Sequence, residues 1–160
     1  MAWDGSGIFR EFIYDQVFSG TLNITDTNDV IQVALYDNAV AASATEKDAS
    51  AANAAYGSGS WTTTNELAAT GNYALKGEEL LTQTVTNETN AVEFDAADTA
   101  WANLTTSKDT YGCLVFDDTT TTPTADRGIC FNYFGGAQSV TGGTFTIVWN
   151  ATNGIFRVTV

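Results

Sequence analysis

Apolar residues in this chain gather in short runs of strand length, each bounded by polar or turn-forming residues. Residues 112–116 (Gly-Cys-Leu-Val-Phe) and 128–134 (Gly-Ile-Cys-Phe-Asn-Tyr-Phe) are two such runs, rich in β-branched and aromatic side chains, with the polar segment 117–127 between them. They predict a long β-hairpin. Residues 144–149 form a third run after Gly142 and Gly143, and residues 154–160 a fourth after a turn at 150–153. Their short connections predict antiparallel neighbours making one side of a β-sandwich or barrel. Residues 30–36 are apolar nearly throughout, which predicts a central strand. Residues 80–86 and 91–94 flank a turn at 87–90 and predict a second hairpin; Trp101 and Leu104 mark a further short strand or extended stretch.

One segment has a different period. Ile8, Phe9, Phe12, Ile13 and Val17 recur at spacings of three and four, so residues 1–20 predict an amphipathic helix with Ser6 as cap, Asp4 near its positive end and Gly20 as stop. Such a helix either packs on the open face of the sheet or serves as an arm that docks on a partner. Residues 37–73 show no lasting period. Ala, Ser, Thr, Asn and Gly dominate there, with Tyr56 and Trp61 as isolated anchors, and the alanine-rich part at 39–55 predicts a short helix. A loop of this length is expected to be functional or held by a partner. The sum is a single domain, residues 1–160, mainly β: an antiparallel β-sandwich or barrel of about seven to eight strands with one N-terminal α-helix. No repeat of fixed period suggests a solenoid or propeller.

Charge narrows the partners. Six basic residues against 19 acidic ones give a net charge of −13, which repels phosphate and argues against nucleic acid. There is no apolar run long enough to span a membrane, and no basic start followed by an apolar stretch, so the expectation is no membrane, no signal peptide and synthesis in a cytoplasm. Cys113 and Cys130 lie on the two strands of the first hairpin. Opposed in register they could bond, but two buried thiols are the expected state.

Catalytic readings find little to stand on. The chain has no histidine, which removes the usual triads, the common base near neutral pH and a zinc site. Glu78-Glu79 and Asp117-Asp118 are adjacent pairs, which a strand throws to opposite faces, and both are read as solvated turn acids. The glycine pairs 57/59, 135–136 and 142–143 follow no phosphate-loop spacing and are read as turn glycines. Two acidic clusters, Asp117/Asp118/Asp126 and Asn23/Asp26/Asn28/Asp29, have oxygen ligands of the kind calcium takes but lack the EF-hand order. Asn-X-Ser/Thr patterns at Asn23, Asn87, Asn103 and Asn150 would matter only in a secreted eukaryotic chain. No catalytic residue, cofactor or metal ligand is assigned.

Several stretches resemble a family of small structural proteins of tailed bacteriophages: residues 1–5 (Met-Ala-Trp-Asp-Gly), 27–35, 64–73, 80–85, 92–101, 143–150 and 155–160. The alanine-rich part at 39–55 and the two cysteines depart from that pattern. The resemblance implies a virion component, most plausibly a head decoration or cement protein on the outer capsid surface, bound to the major capsid protein and itself a homotrimer at local three-fold axes. Its contacts would fall on the helix at 8–17, on the loop around Tyr56 and Trp61 and on the strand edge near the C terminus, with Phe9, Phe12, Tyr56 and Trp61 as aromatic anchors. The alternatives are a tail, collar or fibre-associated protein, or a module that binds host glycans through Trp and Tyr on an exposed β-face; a hydrolase is a third.

Overall fold

A computed structural model describes residues 3–16, 24, 29–40, 42–43, 45–122 and 124–159. Among them the chain is mainly β, with antiparallel sheets. Its strands are β1 (Gly7–Ile8), β2 (Ile31–Tyr36), β3 (Glu78–Glu79), β4 (Thr84–Glu88), β5 (Ala91–Asp95), β6 (Thr99–Leu104), β7 (Thr110–Asp117), β8 (Arg127–Gln138), β9 (Gly143–Ile147) and β10 (Phe156–Thr159), with short helices α1 (Arg10–Tyr14) and α2 (Ala51–Ala54). Both predicted hairpins form, as β7–β8 and β4–β5, and the apolar run at 30–36 becomes β2, packed between β7 and β3. The strands exceed the expected seven to eight because β1 and β3 are two-residue pieces with no run of their own.

The last four strands do not make one side of a sandwich. They are divided among three sheets: β1-β8-β7-β2-β3, β10-β5-β4 and β6-β9. Short connections mark neighbours in the chain, but partners are chosen by what each strand can bury. β9 pairs with β6 at Trp101↔Phe145, and β10 pairs with β5 at Phe156↔Phe94. The link between β9 and β10 turns at Asn150, which bridges to Gly154, and Ile155 N–H then donates to Phe94 O at 2.8 Å, carrying the chain into the next sheet.

Among the described residues the N-terminal helix starts later than its periodicity predicts. Residues 7–8 instead pair with Phe131 and Cys130 along the edge of β8, so the backbone stays extended through Phe9 and the helix begins only at Arg10. Edge pairing overrides a local stripe because it satisfies backbone groups that a helix start would leave open. Ser6 is accordingly not a cap: its Oγ accepts from Tyr133 N at 2.9 Å. Asp4 lies before the strand rather than at a helix start, its N–H donating to Ala42 O at 3.0 Å. Val17 and Gly20 lie outside the described residues. The stripe still reports burial, since Phe9 and Phe12 are in the core and Ile8 and Ile13 pack against it.

The long segment at 37–73 is stitched to the fold by its own chain. Leu67 N–H donates to Leu35 O and Tyr56 N–H to Asp126 O, both within 2.9 Å. The predicted alanine-rich helix is reduced to α2, capped by Ser50 Oγ, which accepts from Asn53 N. Close approach explains two glycines here. A side chain at Gly128 would strike the Ala54 carbonyl and the Phe9 ring, and one at Gly112 the Trp3 indole, so the runs of the main hairpin open on glycine to admit α2 and the N-terminal segment.

The two cysteines miss each other in register. Cys113 faces Asn132 and Cys130 faces Val115, and both are free and buried. Burial pushes the Cys113 thiol up to about 12 and drives Cys130 well up as well, so neither offers a thiolate near neutral pH.

Candidate functional site

The densest polar cluster is built around Glu66, which is buried beside the end of β2, where Tyr36 bridges to it. Its Oε2 accepts from the Tyr56 hydroxyl at 2.6 Å; its Oε1 accepts from the Tyr73 hydroxyl at 2.9 Å and from Lys76 N–H at 2.8 Å. Tyr73 Oη in turn accepts from Leu35 N at 2.9 Å, and the Tyr36 hydroxyl donates to Trp61 O at 2.8 Å. Burial pushes the Glu66 carboxyl above its ordinary range; the Tyr56, Tyr73 and Lys76 donors and the nearby Lys108 charge pull it back only in part. Burial first, and then the Glu66 charge, holds Tyr36 and Tyr73 far above the usual phenol value, and Tyr56 is raised in the same direction. Each donor here already has an acceptor, so the cluster ties residues 56–76 to β2 and presents no base to a substrate.

A carboxyl whose folded-state value is raised binds more protons folded than unfolded between its ordinary and its raised value. Its contribution is therefore fully present below the ordinary glutamate range and is lost as pH rises through the raised value. Glu66→Gln is expected to remove that fall, giving a flatter stability profile than the parent across the window in urea unfolding at a series of pH values. An unchanged slope would reject this role.

The aspartates considered for calcium meet a cation of the chain's own. Lys76 Nζ pairs with Asp118 Oδ1 and lies 3.3 Å from Asp126 Oδ1, over the Tyr56 ring at 5.7 Å from its centre. Lys76 takes φ 76°, in the left-handed region, immediately before Gly77 at φ 75°. Asp117 is not a solvated turn acid: it is buried and accepts from Thr119 N at 2.7 Å and Thr120 N at 3.1 Å, closing the start of the loop after β7. Glu78 and Glu79 are exposed, as expected, but on the short strand β3 rather than in a turn. Among the described residues no group of three or more His, Cys, Asp or Glu is placed to hold a metal; Asn23, Asp26 and Asn28 lie outside them. Among the same residues no helix is long and apolar enough to cross a membrane.

All four proposed aromatic anchors turn inward. Phe9 and Trp61 are fully buried, Phe12 is 2% exposed and Tyr56 9%. Trp61 sits among Trp3, Phe9, Tyr36 and Phe131, with ring centres 5.2–6.0 Å away. Phe12 meets Phe156 at 5.8 Å, and Tyr56 stacks on Phe116 at 4.7 Å. A large aromatic in a polar loop signals burial of some kind, and here the chain's own strands supply it.

No known protein family, curated protein or solved structure matches this chain.

Two outer features replace the expected anchors. The first is the β10-β5-β4 sheet, in which β4 is an edge strand with every residue exposed. Register puts Val85, Val92 and Val158 on the same face as Phe94 and Phe156. Phe94 is buried, yet Val85 and Val92 are each 40% exposed, so the apolar face runs out beyond what the chain covers. The expected strand edge near the C terminus exists as β10, at the other side of this sheet. The second is an open groove between β8 and β9. It lies in a stretch whose signal went unread: residues 128–156 carry no charged side chain, and all 25 charged residues (6 basic, 19 acidic) lie outside it.

Proposed function

We propose that the protein is a bacteriophage virion component, a decoration or cement protein on the outer surface of the head that binds the major capsid protein and stabilises its lattice. The observation that supports this most is the three-stranded sheet, whose edge strand β4 is exposed along its whole length beside the half-exposed Val85 and Val92. An unpaired strand edge with an apolar face is a template for another chain, and a capsid subunit docked there covers both the backbone donors and the valines. A protein that binds the assembled lattice better than free subunits stabilises the lattice by that difference in affinity. Homotrimers at three-fold positions multiply the contact without new chemistry.

Imaging purified particles tests the reading. Copies on the head in the hundreds are expected; a handful at the tail tip, or none, would remove it. In the same particles, Val85→Lys with Val92→Lys is expected to lower head occupancy severalfold while changing the stability of the isolated chain by only about 0.5 kcal/mol per site, as exposed positions do. Unchanged occupancy would reject β4 as the docking edge.

A further inference from the structure

We infer that the groove between β8 and β9 is a binding site for an uncharged carbohydrate, a function separate from lattice binding and independent of it. The groove encloses about 600 Å³, within the range of small-molecule sites. One wall is a wide irregularity in β8. From Thr110 to Gly112 strand β7 advances two residues, while the paired positions on β8 run from Gln138 back to Tyr133, five residues, so three extra residues loop out. Gly135, at φ 79°, makes that departure possible.

The lining selects the ligand. Tyr133, Phe134 and Phe145 are half-buried aromatics along it. Each ring packs on another aromatic: Tyr133 stacks on Trp3 at 6.1 Å, and Phe145 meets both Phe134 and Trp101 at 6.0–6.1 Å. Rigid aromatic walls suit the apolar C–H face of a sugar ring, which gains contact there at little entropic cost. Thr144, Thr146 and Gln138 also line the groove and are exposed, and their hydroxyl and amide groups can both donate and accept. Trp149 also lines the groove; it is 8% exposed, and its indole N–H has no acceptor among the described residues. A buried donor of this kind is satisfied by a ligand oxygen or by water.

Charge excludes the other classes. None of the groove's lining residues is Lys or Arg, so the lining offers no counter-charge for a phosphate, sulfate or carboxylate, and a net charge of −13 repels such ligands from a distance. None of the lining residues is Asp or Glu either, and the carboxylate beside them, Asp98, is already engaged, accepting from Trp149 N at 3.1 Å. A purely apolar ligand would leave the buried Trp149 indole N–H without an acceptor. What remains is a neutral, hydroxyl-rich molecule.

The test uses the intact chain and named probes: linear hexasaccharides of glucose, of mannose and of N-acetylglucosamine, titrated to about 10 mM and followed by backbone amide NMR and tryptophan fluorescence. At least one is expected to give saturable shifts concentrated at residues 132–150, with a dissociation constant of about 0.1–1 mM. Thr146→Glu puts a carboxylate on an exposed position of the groove, and Gln138→Ala removes an amide; each is expected to weaken binding about tenfold while the amide spectrum stays folded. The inference is overturned by no saturable shift with any probe, by undiminished binding in Thr146→Glu, or by polygalacturonate binding as tightly as the neutral sugars. None of these readouts involves a particle, so a failure here is distinguishable from a failure of the capsid reading.

Discussion

Trp61→Ala is expected to lower the unfolding free energy of the isolated chain by about 3–5 kcal/mol, the cost of removing a large aromatic from a closed core. The indole has no exposure and touches four other rings, from the N-terminal segment, β2 and β8. Removing it empties the place where residues 37–73 join the main sheet. The surrounding rings are fixed by strand register and by the Tyr36 hydroxyl bond to Trp61 O, so they cannot close the gap by collapse. For a domain of this size the change corresponds to a fall in Tm of roughly 6–20 °C. Trp61→Phe is expected to keep part of the packing and cost less. Urea unfolding of the purified chain decides it: a loss under about 1 kcal/mol would show that the site relaxes freely. Because the loss appears with no partner present, it separates a core role from the interface role that the sequence suggested.

That contrast shows where sequence reading succeeds and where it stops. The runs at 30–36, 112–116 and 128–134 were legible because β-branched and aromatic enrichment is local, and the strand is formed by the same residues that display the pattern. The turn at 87–90 was legible for the same reason. Pairing between sheets was not. Nothing near β9 says that it joins β6, or near β10 that it joins β5, since those choices depend on Trp101 and Phe94, dozens of residues away. The stripe at 8–13 was read with the right burial, but its backbone turns helical only at Arg10, because the edge of β8 captured Gly7 and Ile8.

The candidate sites show the same limit. Asp117, Asp118 and Asp126 were seen as a cluster, but the partner of the last two, Lys76, lies on another part of the chain and becomes a neighbour only through the turn before β3. Glu66 gave no signal, because a single acid in a polar segment looks the same whether solvated or enclosed by Tyr56 and Tyr73. The charge-free stretch at 128–156 is different: it was visible in the sequence, and its meaning came only when β8 and β9 were seen to form one groove.

Arg127→Met is expected to destabilise the chain by about 3–5 kcal/mol, through the charge it leaves behind rather than the one it removes. Arg127 opens β8 and is only 2% exposed; its Nη2 pairs with Asp15 Oδ2 at the end of α1, where the carboxylate side chain is 7% exposed. Desolvating both ions is costly, and their attraction offsets that cost only while both are present. In the single variant the Asp15 carboxylate stays in the core and loses the Arg127 cation, the costly way to break a buried pair. Asp15→Asn is expected to be costly for the reciprocal reason, the more so because Arg127 Nε and Nη1 have no acceptor among the described residues. The double variant Asp15→Leu with Arg127→Met removes both charges at similar volume and is expected to recover most of the loss, leaving a coupling energy of about 2 kcal/mol or more in a double-mutant cycle. Added salt should change the effect little, since screening acts weakly on a buried pair. If Arg127→Met stays within about 1 kcal/mol of the parent, or the two substitutions simply add, the pair does not join α1 to β8. The segment that places Phe12 against Phe156 would then be held without it, by its apolar contacts and by the backbone pairing of β1 with β8.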